Sequence, residues 1–340
     1  MSLGVSDPAL AAAAPRGRGR PGLYLAVVLV AMVAAFAYHM REAGIFACPA
    51  DGYGDDRYLG YCQGSAYGDY DHGALWYGLE PEARAAAVAA DVVFLGNSRL
   101  QFGLSTAALA NWFAGAGASY YLLGFSHNEN ALFTAPLLAD LHPKARAYVI
   151  SVDKFFFDRF TGPAQDIMQG GPDTRGRYEG KRLWQGVHRA ICGALPALCG
   201  GQVSYFREID TGAWIMDGTE GIVPEPIKFD RPVYDKASLT MMPQLIESAR
   251  AFLDGLDVDP SCVILTYIPS TQNNRILADE LATALGQEMI APQGEGLVTI
   301  DGSHLQPASA ETWSAAFLEA AGPRLRQCLD GGGAGAGSAS

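Results

Sequence analysis

The stretch Asp91-Val-Val-Phe-Leu-Gly-Asn-Ser-Arg-Leu100 decides the fold class of this chain. Its first half, 91–95, is a short apolar run of the kind that a strand buried on both faces produces. The run stops at Gly96 and Asn97, residue types that are common where a strand gives way to a helix. A helix is predicted over Ser105–Ala114, so the stretch indicates the first strand-turn-helix unit of a sheet.

The same alternation of strand and helix continues to the end of the chain. Further strands are predicted at 119–123, 145–152, 262–267 and 297–300, and further helices at 80–90, 130–141, 241–256, 274–285 and 310–327. This order predicts an α/β fold with a mostly parallel sheet covered on both faces. The domain would span 83–330, with an irregular lead-in at 41–82, a flexible tail at 331–340 and a long insertion at about 158–235 that contains a helix over 182–198.

The N-terminal segment indicates a membrane location. Residues 1–22 are predicted to be a disordered cytoplasmic leader that contains three closely spaced arginines, and residues 23–40 an apolar transmembrane anchor. Basic residues precede the anchor, so the N-terminus is expected inside and everything after residue 40 in the periplasm or exterior. Ala35-Phe36-Ala37 also matches the small-x-small pattern of a cleaved signal peptide, which would give the same location.

Composition narrows the partners and the compartment. Apolar residues make up 49% of the chain, enough for a sizeable core, and Lys+Arg 24 against Asp+Glu 36 gives a net charge of -12. This acidic balance argues against a nucleic-acid partner, because it repels phosphate backbones. Six cysteines are enough for two or three disulfides if the compartment is oxidising, as the anchor implies, and local pairing as 48–62, 192–199 and 262–328 is one of the connectivities that they allow.

Two short motifs carry candidate chemistry. Ser98 follows the first strand, at the carboxyl edge of the sheet where ligands bind in parallel α/β folds. Asp301-Gly-Ser-His304 follows the last strand, and an aspartate three residues before a histidine can orient its ring as a general base. Each motif alone also fits an ordinary turn or a polar loop before a helix. Their presence at the same sheet edge predicts a nucleophilic serine site.

These two motifs resemble those of the SGNH (GDSL) hydrolase superfamily. The resemblance rests on Gly96-Asn-Ser-Arg-Leu100 and the late Asp301-x-x-His304, and in outline it spans 91–325. It implies a three-layer α/β/α sandwich (flavodoxin-like), with Ser98 as the nucleophile, His304 as the base and Asp301 as the residue that orients it. The anchor makes the chain similar to the branch that removes acyl groups from cell-envelope polysaccharides or transfers acyl groups to them.

The chain departs from the family pattern around the oxyanion donors. Asn97 stands where the family usually has aspartate, and Ser151-Val-Asp-Lys154 replaces the usual Gly-x-Asn-Asp block. Candidate oxyanion residues are therefore Ser98 itself, Gly124 and Asn128. Arg99, Trp184 and Trp214 are candidate substrate-binding residues. The sequence suggests no metal or cofactor.

The predicted function is an extracytoplasmic serine esterase or O-acyltransferase that works through an acyl-enzyme on esters of an envelope polysaccharide. A transferase would need a membrane protein to deliver acyl groups, since no carrier motif is visible in the sequence. The alternative is a non-catalytic protein of the same fold that binds polysaccharide or helps to assemble the envelope. Whether water or a sugar hydroxyl accepts the acyl group stays open at this point.

Overall fold

The computed structural model describes residues 20–49, 51–217, 225–227, 240–271 and 275–331. The predicted tail, apart from its first residue, and the first nineteen residues of the predicted leader lie outside these ranges. The helices are α1 Pro21–Glu42, α2 Asp71–Trp76, α3 Pro81–Ala89, α4 Ser98–Leu104, α5 Ala107–Ala116, α6 Ala131–Leu141, α7 Gly162–Gln169, α8 Pro172–Ala194, α9 Met242–Asp254, α10 Arg275–Leu285 and α11 Pro307–Gly331. The strands are β1 Arg57–Cys62, β2 Gly68–Asp69, β3 Val92–Asn97, β4 Tyr120–Phe125, β5 Ala147–Ser151, β6 Ser204–Glu208, β7 Trp214–Asp217, β8 Glu225–Pro226, β9 Val263–Thr266 and β10 Val298–Thr299.

A four-stranded parallel sheet of order β4-β3-β5-β9 forms the centre of the protein. Every residue of β3 is buried, as the apolar run predicted. Its alternate residues enter two different apolar clusters: Val93 and Leu95 face one, Val92 and Phe94 the other. Side chains of successive strand residues point to opposite faces, so the sheet is covered on both sides. The prediction of an α/β protein with a parallel sheet is confirmed.

The strand predicted at 297–300 does not join this sheet. The two residues of β10 pair antiparallel with β8, and Thr299 also bridges to Leu305. The chain turns back at Gly302, whose φ of 77° lies in the left-handed region that favours glycine. This early turn leaves a strand too short to cross the sheet, and it places the following histidine beside α4.

A second sheet replaces the predicted irregular lead-in. Its four strands, in the order β2-β1-β6-β7, pair antiparallel, with β1 and β2 from 41–82 and β6 and β7 from the insertion. Leu59 lies opposite Phe206 in this sheet. The partners lie far apart in the sequence, and the local pattern of either segment alone did not reveal the pairing.

All six cysteines form disulfides. The pairs are Cys48–Cys62, Cys192–Cys199 and Cys262–Cys328, with Cα atoms 5.7–5.8 Å apart. This is the local connectivity that the spacing suggested. Cross-links of this number are typical of proteins that fold outside a reducing cytoplasm.

Helix α1 corresponds to the predicted anchor. It has 22 residues and an apolar window of mean hydropathy 2.1, and none of that window is buried within the protein. At 1.5 Å per residue it is about 33 Å long, similar to the ~30 Å hydrocarbon core of a bilayer. The helix is therefore long and apolar enough to span a membrane.

Candidate active site

Ser98 is the first residue of α4, directly after the central strand. Asn97 caps the helix: its side-chain oxygen accepts a hydrogen bond from the Arg99 backbone N–H at 2.9 Å, and its amide donates to the Asp153 carbonyl at 3.0 Å. Gly96 allows this sharp turn, because a Cβ there would lie 2.9 Å from the Leu100 Cβ. The strand order reverses beside this strand, which is where parallel α/β sheets bind ligands.

Ser98, His304 and Asp301 form a hydrogen-bonded chain. The Ser98 Oγ lies 2.8 Å from His304 Nε2, and His304 Nδ1 lies 2.7 Å from Asp301 Oδ2. A carboxylate only accepts hydrogen bonds, so Nδ1 carries the proton and Nε2 is left to accept the serine hydroxyl. The structure thus brings together the three residues that the sequence singled out, across a separation of 206 positions between the serine and the histidine.

The surroundings of Asp301 keep it ionised. Burial raises its pKa, but the hydrogen bond and charge of His304 and the backbone N–H groups of Ser303 and His304 outweigh burial. Both N–H groups donate to Oδ1 at 2.9 Å. The pKa of Asp301 therefore lies well below its ordinary value, and the carboxylate can fix the tautomer of His304 at neutral pH.

The buried Arg99 side chain contacts the loop that bears His304. Its side chain is almost fully buried, its Nε donates to the Ser303 Oγ at 3.0 Å, and its Nη1 lies 2.7 Å from the Asp153 carboxylate. These contacts join α4, the end of β5 and the loop that bears His304. Arg99, a candidate substrate-binding residue, has its guanidinium in the protein interior, where Asp153 and the loop are its partners.

A cavity of about 360 Å³ adjoins the histidine. The Phe102 ring lies 4.3 Å from the His304 ring and 6.3 Å from Trp214, and both aromatic residues line the cavity. Trp214 is 5% exposed and stacks on Tyr205 at 3.6 Å. The other apolar lining residues are Ala107, Ile215, Met216, Ile300, Leu305, Pro307 and Ala310, and the polar ones are Gln101, Ser105, Thr106 and Glu311.

Most polar side chains that line this cavity already have hydrogen-bond partners within the protein. The Gln101 amide donates to the carbonyls of Leu122, Gly124 and Gly212, and its oxygen accepts from the Ser105 hydroxyl at 3.0 Å. The Thr106 hydroxyl bonds that of Ser314 at 2.7 Å. The cavity beside Ser98, His304 and Asp301 is therefore mainly apolar.

The other predicted site residues are spread more widely. Gly124 lies in β4 in register with Gly96. A Cβ there would approach the Leu100 and Gln101 side chains of α4 to 3.0 Å, so the helix packs closely over this glycine. Asn128 is exposed on the next loop, with a left-handed φ of 56°. Trp184 lies on α8 and donates to the Ile45 carbonyl at 3.2 Å, so its contacts are with the segment after α1. The identity of the oxyanion donors stays a prediction.

A second Asp-x-x-His segment was missed by the sequence analysis. His72 is fully buried, with Nδ1 2.7 Å from Asp69 and Nε2 3.1 Å from Glu129. Burial by itself lowers the pKa of His72, but the two carboxylates outweigh it and raise the pKa to about 10. Because Glu129 occupies Nε2, this histidine has no serine to activate. The repeat of the Asp301-x-x-His304 spacing at Asp69 was the available signal.

One group among the described residues has the spacing of metal ligands: His188, Cys192 and Cys199. The two cysteines are bonded to each other, so neither offers the thiolate that a metal requires. This group therefore does not form a metal centre in the oxidised protein.

Comparisons with known proteins returned no match: no family model, no curated protein and no solved structure is similar enough to this chain. The functional argument therefore depends on the geometry of the site.

Proposed function

We propose that this protein is a membrane-anchored serine esterase or O-acyltransferase that acts on acyl esters of a cell-envelope polysaccharide. The observation that carries the proposal is the hydrogen-bonded chain from Ser98 through His304 to Asp301 at the carboxyl edge of the parallel sheet. A serine hydroxyl is a weak nucleophile on its own, and a neighbouring histidine with a correctly oriented ring overcomes this. The fold proposed with it is the three-layer sandwich of the SGNH hydrolases.

The geometry supports a two-step acyl transfer. His304 Nε2 takes the Ser98 proton as Oγ attacks the ester carbonyl carbon, and the bond to the leaving alcohol breaks as His304 returns the proton to its oxygen. The acyl group is then an ester of Ser98. Water or a sugar hydroxyl attacks this ester in the second step, with His304 again as the base. The Asp301 carboxylate stabilises the imidazolium that forms in each step.

The apolar cavity beside His304 suits the acyl portion of the substrate. Phe102 and Trp214 form its wall next to the histidine, and Leu305 follows His304 directly. Burial of acyl methylenes there is favourable by about 0.8 kcal/mol for each. We propose that the acyl group enters this cavity while the polysaccharide remains at the open side of the site.

The anchor and the cysteines support the location. Helix α1 matches the thickness of a bilayer, and all six cysteines are in disulfides. We propose a single-pass protein with its N-terminus in the cytoplasm and its folded part in the periplasm or exterior. As a transferase, it would receive acyl groups from a membrane protein.

The test is labelling of the full-length protein, produced in an oxidising compartment, with a fluorophosphonate probe. Label is expected on the wild type and not on Ser98→Ala or His304→Ala. Ser126→Ala is the matched control, because the Ser126 hydroxyl also contacts a histidine ring nitrogen, that of His127, at 2.7 Å. It should label like the wild type.

Turnover of p-nitrophenyl acetate, with and without added oligosaccharide, separates the two reactions. Faster release with oligosaccharide indicates transfer to sugar. Where the rate is unchanged, the products decide: acylated oligosaccharide indicates transfer, and free acetate alone indicates hydrolysis. A folded wild-type protein that takes no label would contradict the catalytic proposal and favour a protein that only binds polysaccharide or assembles the envelope.

A further inference from the structure

The outer face of α8 carries a stripe of exposed apolar side chains. Leu183 and Val187 are 77% and 45% exposed, and Ile191 follows at the same four-residue spacing. Leu195, directly after the end of the helix, is 57% exposed. Side chains four positions apart lie on one face of a helix. Leu198, in the single turn that follows, is 43% exposed. These five residues are the α8 stripe.

This stripe is not the face that α8 packs against the domain. The buried residues of α8 are on its other side and include Tyr178, Gln185, His188 and Cys192. Outside α1, the described residues include five exposed large apolar side chains, and four of them belong to the α8 stripe. Soluble surfaces normally expose such side chains singly, so their concentration here indicates a surface that is covered in the cell.

Helix α8 and the residues that follow it contact the end of α1 and the segment after it. The Arg41 Nε donates to the Cys199 carbonyl at 3.1 Å, and the Gln202 side chain donates to the Glu42 carbonyl at 3.1 Å. Further along, Trp184 packs on Phe46 with ring centroids 5.1 Å apart. The half of α8 that carries the stripe therefore lies against the seven residues that follow α1.

The helix that carries the stripe is basic. Helix α8 contains five Arg and Lys residues against two Asp and Glu, whereas acidic residues are in excess in the chain as a whole. Arg182 and Arg189 lie on another side of the same half of α8, and each side chain is 53% exposed. Arg182 lies 3.9 Å from the largely buried Glu80. Asp55, the partner of Arg189, is an exposed carboxylate that another anion can replace. An apolar face on a helix whose polar side carries basic residues is typical of helices that lie in a lipid interface.

We propose that the α8 stripe lies in the headgroup layer of the bilayer that α1 spans. This inference rests on the proposed membrane anchorage and is independent of the proposed catalysis. It gives the domain a second attachment besides α1. The candidate active site would then keep a fixed height and orientation above the lipid, as delivery of a group from a membrane protein requires.

The test places a fluorophore at single cysteines in the full-length protein, reconstituted in vesicles of phosphatidylcholine and phosphatidylglycerol. All native cysteines are in disulfides, so an introduced cysteine is the only thiol. The positions are Leu183→Cys on the stripe, Ala37→Cys within α1 and Asn111→Cys on the exposed side of α5. Quenching by a nitroxide on the lipid acyl chain reports contact with the bilayer.

Quenching at Leu183→Cys is expected to approach that at Ala37→Cys and to exceed that at Asn111→Cys at least about twofold. It should weaken when Arg182 and Arg189 are changed to glutamate, because the phosphatidylglycerol surface is negative. Quenching at Ala37 without quenching at Leu183 would overturn the inference and leave the anchorage intact. A blue-shifted but unquenched Leu183 label would show that protein covers the stripe. Absence of quenching at both positions would overturn the anchorage together with the inference.

Discussion

The role of Asp301 can be tested by a change that preserves the shape of the site. In Asp301→Asn, one side-chain atom must still face the backbone N–H groups of Ser303 and His304, which donate at 2.9 Å. If the amide oxygen does so, the NH₂ group faces His304 Nδ1. The imidazole must then carry its proton on Nε2, where it cannot accept the proton of Ser98.

The expected loss follows from the two orientations of the amide. With the wrong tautomer, the rate falls by about 10⁴, the effect of this change in triads generally. The opposite orientation restores the tautomer but removes two backbone hydrogen bonds, at about 1 kcal/mol each. That cost of about 2 kcal/mol corresponds to roughly 30-fold. Acylation by p-nitrophenyl acetate should therefore slow by between about 30-fold and 10⁴-fold.

The assay is the rate of nitrophenolate release in the first turnover, with thermal unfolding to confirm that the variant is folded. Asp279→Asn is the matched control, because Asp279 is an exposed aspartate that pairs with Arg275 at 2.9 Å, outside the site. It should acylate at the wild-type rate. A folded Asp301→Asn within threefold of the wild type, where Ser98→Ala is inactive, would refute the assigned role of Asp301.

Three other results are expected. Asp71→Asn should lower the free energy of unfolding in urea by about 3–5 kcal/mol, because the fully buried Arg207 guanidinium, 2.6 Å from Asp71, loses its counter-charge. A loss below 1 kcal/mol would contradict this. Met216→Trp should narrow the cavity. The rate for long-chain esters relative to that for acetyl esters should then fall about fourfold for each acyl methylene that no longer fits in the cavity. An unchanged ratio would place the acyl group elsewhere. The pKa of His72 is about 10 in the folded protein, which is higher than in the unfolded chain. The charged histidine therefore stabilises the folded state fully below about pH 6.5, and this stabilisation is lost as the pH rises to about 10. The free energy of unfolding in urea should fall less between pH 6 and pH 9.5 in His72→Gln than in the wild type. Equal falls in the two proteins would argue against the ionised histidine.

Local sequence was sufficient where the signal was short-range. The run Val92–Leu95 is apolar throughout because both faces of its strand are buried, and this pattern needs no knowledge of the neighbours. The helix caps at Thr106 and Asn130 also act within a few residues. The pairing of β1 with β6 depends instead on hydrogen bonds between segments far apart in the chain. Neither segment shows a strong pattern alone, so the second sheet was not predicted.

The candidate site shows the same division. The residue types of Ser98, Asp301 and His304 and the three-residue spacing of the last two were enough to suggest their roles, because that spacing lets a carboxylate reach the ring nitrogen. The sequence did not show that Arg99 is buried, since its partners Asp153 and Ser303 come from elements 54 and 204 positions away. A buried guanidinium requires such partners, and only the folded chain supplies them.

The sequence by itself determined most of the alternation of strand and helix, the apolar N-terminal segment and the three residues of the candidate triad, because the local pattern of each element or loop carries that information. Tertiary structure decided which Asp-x-x-His segment meets a serine. At His304 the Nε2 lies 2.8 Å from Ser98, whereas at His72 a glutamate occupies that nitrogen. The same Asp-x-x-His spacing therefore gives a candidate base at His304 and a buried ion cluster at His72. The difference lies in the residue that contacts Nε2, which comes from a distant part of the chain in both cases.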